Sequence, residues 1–183
     1  MVRVTRSNGE WYQFEEEARA SLLSPPRRFG FTVECHAVLL PSFKDCRAYT
    51  LLDAGARESH PVVGVRRIWR RRNDREIIDA QGDRPADSPR LTSTIELSHA
   101  PMARELLDDI LGRAAELRIP PNFLQRRTGC DGTTYALSFG EHFVAARFEW
   151  WQEPPAGWEG LGLLFDEVVS AVDDALDTVA TDG

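Results

Sequence analysis

The C-terminal third of the chain contains the feature that most constrains the fold, two strand-like segments followed by a long amphipathic helix. The segments 133–139 and 142–151 alternate between two side-chain rows and are joined by a short turn containing Gly140, which is typical of a β-hairpin. After a pair of prolines, apolar residues recur at helical spacing as far as Val179. A hairpin with an apolar face and a helix with an apolar stripe can cover each other, so this region predicts a self-covering unit.

Three strand-like segments in succession are predicted in the first half of the chain. The cleanest alternation lies at 28–40, and shorter segments follow at 46–52 and 62–72. Short connections between successive strands favour antiparallel pairing. The pattern at 91–97 allows one further short strand.

Helical spacing predicts two more helices. One spans 10–23 and ends at a pair of prolines, and the other opens near Pro101 with Ser98 as its N-cap. Residues 73–90 are polar and contain glycine and proline, which is typical of a mobile surface loop. The last residues, 179–183, are expected to form a frayed tail.

Together these elements predict an α+β fold for a single domain over residues 1–183. The expected architecture is an antiparallel β-sheet of about five to six strands with helices packed on it, in the order α-β-β-β-(β)-α-β-β-α. This order resembles that of type III secretion chaperones and of small bacterial proteins that share their fold, which are acidic and act by holding a partner. The resemblance covers the order of the elements alone, and it implies a role without assigning any residue.

Composition narrows the functional classes. The chain has 183 residues, of which 42% are hydrophobic and 28% charged, as in ordinary soluble globular proteins. No apolar run approaches the ~20 residues of a membrane span, and the N-terminus lacks the apolar core of a signal peptide. These features predict a cytoplasmic protein with no membrane partner. Arginine outnumbers lysine by 21 to one, a bias often seen in proteins from GC-rich bacterial genomes.

Charge is distributed unevenly along the chain. Residues 131–183 contain eleven acidic residues and one basic residue, whereas residues 1–130 contain 18 acidic and 21 basic residues. The overall net charge of −7 disfavours a general nucleic-acid binder, because phosphate affinity needs positive charge. The acidic C-terminal helix, which carries Asp173, Asp174 and Asp177, suits a basic protein partner.

The stretch 66–75 is the most unusual local feature, because arginines flank a tryptophan. Its candidate partner-binding residues are Arg67, Trp69, Arg70 and Arg71. Such residues can contact phosphates while the ring stacks on a base, or bind acidic groups of a protein or small anion. The third interpretation is structural, in which the arginines pair with acidic residues of neighbouring strands or of the C-terminal helix.

Trp151 is a further candidate for a partner surface. It follows Trp150 directly, and consecutive residues of a strand point to opposite faces of the sheet. One of the two rings therefore lies outside the core of the hairpin, unless helices cover both faces. Tryptophan is enriched among interface residues that dominate binding.

Catalytic and cofactor motifs are absent from the sequence, which predicts no metal and no cofactor. The four histidines lie on four separate segments without a metal-ligand spacing. Cys130 lies in a polar turn beside Asp131, where an adjacent carboxylate raises a thiol pKa and opposes nucleophilic activation. An enzyme whose site combines scattered residues such as Cys130 and His142 stays open as a third hypothesis.

The sequence therefore predicts a non-enzymatic protein-binding module of a bacterial cytosol, chaperone-like or toxin-immunity-like. It is expected to use the acidic C-terminal helix and exposed aromatic residues to hold a protein partner, and the charge of the helix favours a basic one. Nucleic-acid or anion binding through the Arg66–Arg75 stretch is the alternative. Homodimer formation stays open.

Overall fold

The computed structural model describes residues 6–28, 30–55, 62–81, 91–121, 131–140 and 145–181. Its elements follow the chain as α1 (Arg6–Leu23), β1 (Thr32–Pro41), β2 (Cys46–Asp53), β3 (Val62–Trp69), α2 (Arg71–Gln81), β4 (Ile95–Met102), α3 (Arg104–Glu116), β5 (Thr133–Phe139), β6 (Ala146–Trp151) and α4 (Glu159–Thr181).

The six strands form one sheet in the order β4-β3-β2-β1-β5-β6, and every neighbouring pair is antiparallel. The prediction of an α+β fold with an antiparallel sheet and packed helices is confirmed. The optional strand before the middle helix is β4, which pairs with β3 along its whole length. Strands β4 and β6 lie at the two edges of the sheet.

The C-terminal hairpin and α4 cover each other, as the sequence predicts. Tyr135 stacks on Trp150 with 5.6 Å between the ring centroids, and Phe165 of α4 sets its ring edge-on to both, at 5.2 and 5.8 Å. Such aromatic pairs contribute about 0.5–1.5 kcal/mol beyond the burial of their area. Helix α3 packs beside α4, and the side chains between these helices and the sheet form the largest core cluster of the described residues.

Helices α1 and α2 cover the opposite face of the sheet. Trp11 and Phe14 of α1 lie 6.1 and 6.2 Å from the ring of Trp69, measured between centroids. Ile78 of α2 completes this second core, which also contains Ala18 and other side chains of α1. The sheet is therefore a central layer with two helices on each face.

One predicted loop contains a helix. Residues 73–90 were expected to form a mobile loop, but α2 occupies Arg71–Gln81, and residues 82–90 lie outside the described part of the chain. The same finding shortens the third strand, which ends at Trp69. Helix α2 contains only two large apolar side chains, the buried Ile78 and the exposed Ile77, so its polar composition predicts a loop although the segment forms a helix.

Other predicted boundaries also change: the strand predicted at 91–97 lies at Ile95–Met102, and the helix predicted from residue 10 begins at Arg6. Ser98 does not cap a helix, because it lies within β4 opposite Arg66, and α3 follows Ala103 without a side-chain cap. Pairing with a neighbouring strand has overridden the local capping pattern. At the other end of the chain, α4 continues to Thr181, so the predicted frayed tail is helical over 179–181, and residues 182–183 lie outside the described part.

Candidate functional site

Arg67, predicted as a partner contact, is instead a structural cation that closes the C-terminal end of α1. Its guanidinium donates hydrogen bonds to the carbonyl oxygens of Ser21, Leu22 and Ser24, at 3.0, 3.0 and 2.6 Å. The last carbonyls of a helix have no partner within the helix, so Arg67 satisfies groups that burial would otherwise leave unpaired. With 8% of its surface exposed, the side chain offers almost no area to a partner.

His36 supports the same helix end from the neighbouring strand. Burial, and then the positive charge of Arg67, lower the pKa of His36 to about 4, so the ring is neutral at physiological pH. A carbonyl only accepts, which makes Nε2 the protonated nitrogen that donates to the Leu22 oxygen at 2.9 Å. The unprotonated Nδ1 accepts from the hydroxyl of Thr50, also at 2.9 Å.

Trp69 likewise lies in the core and not on a partner surface. Its side chain is fully buried, and its indole nitrogen donates to the carboxylate of Asp74 at 2.7 Å. The same carboxylate accepts the backbone N–H of Thr94 at 2.8 Å. Through these bonds Trp69 joins β3 to α2 and to the residues that precede β4.

Arg70 is held by two carboxylates from other elements. It donates to both oxygens of Glu96 on β4, at 2.9 and 2.8 Å, and to Asp45 at 3.1 Å. Other arginines of the stretch are also paired within the chain, as shown by the ion pairs Arg66–Asp173, Arg72–Glu76 and Arg75–Asp79. Much of the basic charge in the 66–75 stretch is therefore used inside the fold, as the structural interpretation predicts.

Arg71 forms a compact group with Glu15 of α1. It donates to both carboxylate oxygens of Glu15, at 3.0 and 3.2 Å, and Arg19 binds the same carboxylate. Burial alone would raise the pKa of Glu15, but the hydrogen bonds and positive charges of the two arginines outweigh it and lower that pKa. The guanidinium carbon of Arg71 also lies 5.3 Å from the ring centroid of Trp11 and 5.9 Å from that of Phe43.

An aromatic–arginine surface surrounds this group. It is a depression of about 360 Å³, and its main lining residues are Trp11, Tyr12, Glu15, Phe43, Arg71 and Arg75. Tyr12 is 70% exposed and Phe43 is 68% exposed. Neither ring is predicted as a contact from the sequence, although Phe43 lies in the polar turn between β1 and β2, where an aromatic residue is itself a signal.

A second groove lies on the opposite side of the sheet, between α4 and the junction of β4 with α3. We call it the acidic groove after the carboxylates of Asp174 and Glu167 in its lining. Its volume is about 580 Å³, and its lining includes Met102, Leu106, Ala171, Asp174, Ala175 and Val179. Most of the lining is apolar. Glu167 also reaches the groove, where Arg113 of α3 pairs with it.

The three aspartates predicted as partner contacts on α4 differ in their surroundings. Asp173 is half-buried and accepts from Arg66 at 2.8 Å and from the Tyr49 hydroxyl at 3.3 Å. Asp174 and Asp177 are exposed, and neither has an ion-pair partner within the described part of the chain. The structure thus separates one structural aspartate from two whose charge is not compensated.

Trp151 is half-buried at the edge of the hairpin. Its six-membered ring lies directly over the backbone of Gly132, where a β-carbon would overlap the ring. A residue with a side chain at position 132 would therefore displace the tryptophan. Trp151 is separate from both surfaces defined above.

Two of the residues considered for catalysis, Cys130 and His142, lie outside the described part of the chain. Among the described residues, no group of three or more His, Cys, Asp and Glu side chains is arranged to hold a metal ion. None of the described helices is both long and apolar enough to cross a membrane.

Comparison with protein families, with curated proteins and with solved structures gives no match for this chain. The resemblance in element order to secretion chaperones therefore gains no further support. What the chain can bind follows from its own residues.

Proposed function

We propose that this protein binds a basic segment of a protein partner in the acidic groove. One observation carries the proposal. Asp174 lines the apolar groove, and Asp177 lies three residues further along α4; neither carboxylate has an ion-pair partner within the described part of the chain, and the last turn of the helix contains no basic residue.

The placement of these carboxylates is unfavourable for the isolated chain. The C-terminal end of a helix carries partial negative charge that falls off within the last turn, so it acts mainly on Asp177, which lies four residues before Thr181. Asp174 and Asp177 are also three residues apart, which places like charges next to each other on the helix surface. A cationic partner would relieve both effects, and departures from local stability rules often mark functional sites.

The apolar lining defines what else the partner must carry. Met102, Leu106 and Val179 present hydrocarbon surface to the groove, and Val179 is 48% exposed. An arginine or lysine beside an apolar residue would place its charge on Asp174 and its neighbour's side chain in the groove. Complementary charge raises the association rate and selects the partner, while the buried apolar contact supports affinity.

The alternative through the 66–75 stretch has weaker support. Arg66 and Arg70 are paired with carboxylates of the chain, and Arg67 is buried against backbone carbonyls. Binding of a polyanion there would have to compete with these internal bonds. The hypothesis of an enzyme has no assembled group of side chains in its favour among the described residues.

The test is affinity capture from lysate of the source organism with tagged protein, followed by mass spectrometry and by affinity measurement with the purified partner. The charge variant is Asp174→Asn/Asp177→Asn. The matched control is Glu116→Gln/Glu153→Gln, which changes the net charge equally at two exposed positions away from the groove. Val179→Ser tests the apolar part.

Three results together would support the proposal. A stoichiometric protein partner binds the wild type, binds about tenfold more weakly to the Asn/Asn variant, and is retained by the Gln/Gln control. Rising salt should weaken the wild-type complex more than that of the Asn/Asn variant. A partner that binds both double variants equally well would refute the groove as its site, and co-purified nucleic acid without a protein partner would favour the arginine stretch.

A further inference from the structure

We propose that the aromatic–arginine surface is a second docking site, which takes an acidic segment of a protein that also carries an apolar side chain. This inference does not rest on the acidic groove. It rests on exposed rings, on preorganised arginines and on the sign of the local charge.

The exposed rings are the first observation. Tyr12 lies on α1 and Phe43 lies in the turn between β1 and β2, yet both line one depression and each is more than two-thirds exposed. Large aromatic side chains that share an exposed patch have an apolar surface that water solvates poorly. Tyrosine, tryptophan and arginine are also the residue types that dominate binding energy at protein interfaces.

The arginines of this surface are held in place before any ligand arrives. Arg71 is fixed by two hydrogen bonds to Glu15 and lies near the rings of Trp11 and Phe43. The guanidinium of Arg75 lies 4.9 Å from the Trp11 ring centroid, and its Nε donates to Asp79 at 2.9 Å. Side chains that are already ordered lose little entropy on binding, which favours affinity.

Donor capacity remains on Arg75. Its one hydrogen bond to a described residue uses Nε, which leaves the two terminal nitrogens as donors for an anion. A carboxylate accepts such a pair of N–H groups in a bidentate arrangement. Since the side chain of Arg75 is 34% exposed, a ligand can reach it from solvent.

The local charge favours an anionic ligand. The lining contains three guanidinium groups, from Arg19, Arg71 and Arg75, and one carboxylate, from Glu15. Asp79 pairs with Arg75 from outside the lining, which still leaves an excess of one positive charge. An acidic side chain would be attracted to this excess, and an adjacent apolar side chain would cover Tyr12 and Phe43.

A protein segment fits this surface better than a nucleic acid. The exposed carboxylates of Glu16 and Glu76 lie on the same two helices, and the whole chain carries a net charge of −7. A polyanion would meet these charges along its length, whereas a short acidic peptide would contact only the positive centre of the surface.

The experiment is selection of a random peptide display library on the intact protein, with counter-selection on Phe43→Ala/Arg75→Gln. Both positions lie on the surface, and equal unfolding temperatures would verify that the double variant is folded. Peptides enriched on the wild type alone are then synthesised, and their affinity is measured by fluorescence anisotropy. A labelled single-stranded oligonucleotide is titrated in parallel.

The selected peptides are expected to contain aspartate or glutamate beside an apolar residue. Arg75→Gln should weaken their binding about tenfold. Arg72→Gln removes the same charge from an arginine that is 87% exposed and outside the lining, and it should change affinity less than about twofold.

Three outcomes would overturn the inference. In the first, no peptide of the library distinguishes the wild type from the double variant. In the second, the selected peptides are basic. In the third, the oligonucleotide binds more tightly than the peptides, and its binding depends on Arg75.

Discussion

The two faces of the sheet handle charge in opposite ways. Under α1, charged and polar side chains are buried and bonded within the fold, as Arg67, His36 and Thr50 bind the end of that helix or each other. On α4, the interior is apolar, and Asp174 and Asp177 remain at the surface without a cation within the described part of the chain.

This difference shows that the number of charges in a segment is a poor guide to its role. The basic stretch 66–75 looks like a binding site in the sequence, but many of its arginines bind carboxylates or carbonyls of the same chain. Paired charge supports the fold, and unpaired charge is available to a partner. Substitution of a paired charge should therefore destabilise the protein, and substitution of an unpaired charge should not.

The largest effect is expected for Arg67→Met. The variant removes three hydrogen bonds from a charged donor, those to the carbonyls of Ser21, Leu22 and Ser24, and such bonds contribute about 1.5–3 kcal/mol each. The Leu22 oxygen keeps His36 as a donor. We expect a loss of about 3 kcal/mol or more in the free energy of unfolding, measured with urea. Arg72→Gln, at an exposed ion pair, should change that free energy by less than about 0.5 kcal/mol. Equal effects of the two variants would contradict the structural role of Arg67.

A smaller effect on the same face is expected from acid. The pKa of His36 lies at about 4 in the folded protein, below its ordinary value of 6.5, so the unfolded chain binds more protons between these values. Stability contributed by the neutral ring is complete above pH 6.5, falls as the pH decreases toward 4, and stays constant below that. The loss attributable to this residue is on the order of 3 kcal/mol.

The measurement is the free energy of unfolding between pH 7.5 and 4 for the wild type and for His36→Gln. Glutamine keeps a donor and an acceptor but does not titrate, so the variant should show a shallower pH dependence whatever its stability at neutral pH. Parallel curves for the two proteins would rule out His36 as the titrating group.

Trp69→Phe should cost about 2 kcal/mol, because it removes ring volume from the core and leaves the buried Asp74 carboxylate with one donor fewer. Thermal unfolding provides the measurement. Trp151→Phe is the matched control, since that ring is only half-buried, and its effect should be the smaller of the two. A larger loss of stability in Trp151→Phe than in Trp69→Phe would contradict the role of Trp69 as the more important core residue.

The sequence predicts the parts of this fold that repeat a pattern. Alternation and helical spacing predict the hairpin, α4 and the antiparallel sheet because each is long and has a distinct apolar face. Helix α2 escapes prediction because its composition is polar and because Asp74, which anchors it to the nearby Trp69, also binds Thr94, a residue that only the folded chain brings to it. The hidden role of Arg67 has the same cause, because its partners lie more than 40 residues away.

The candidate sites divide in the same way. The acidic character of α4 is visible in the sequence. The sequence does not show which of its aspartates is paired, because the partners of Asp173 are Arg66 and Tyr49 on strands of the sheet. The aromatic–arginine surface combines α1, a turn and α2, and no local pattern brings these together. An aromatic residue in a polar turn makes Phe43 a local signal, but its proximity to Tyr12 and the arginines becomes visible only once the neighbouring elements are placed.

The smallest expected effect has the opposite sign. Asp174→Asn/Asp177→Asn removes two negative charges that repel each other across one turn of α4, and Asp177 also lies near the negative end of the helix dipole. We expect the free energy of unfolding to increase by about 0.5 kcal/mol at low salt and the gain to shrink as salt rises. Asp173→Asn should instead destabilise the protein, since it weakens the bonds to Arg66 and Tyr49. If the double variant were also destabilised, the two carboxylates would have partners within the chain, and this result would contradict the proposal that a cationic partner binds them.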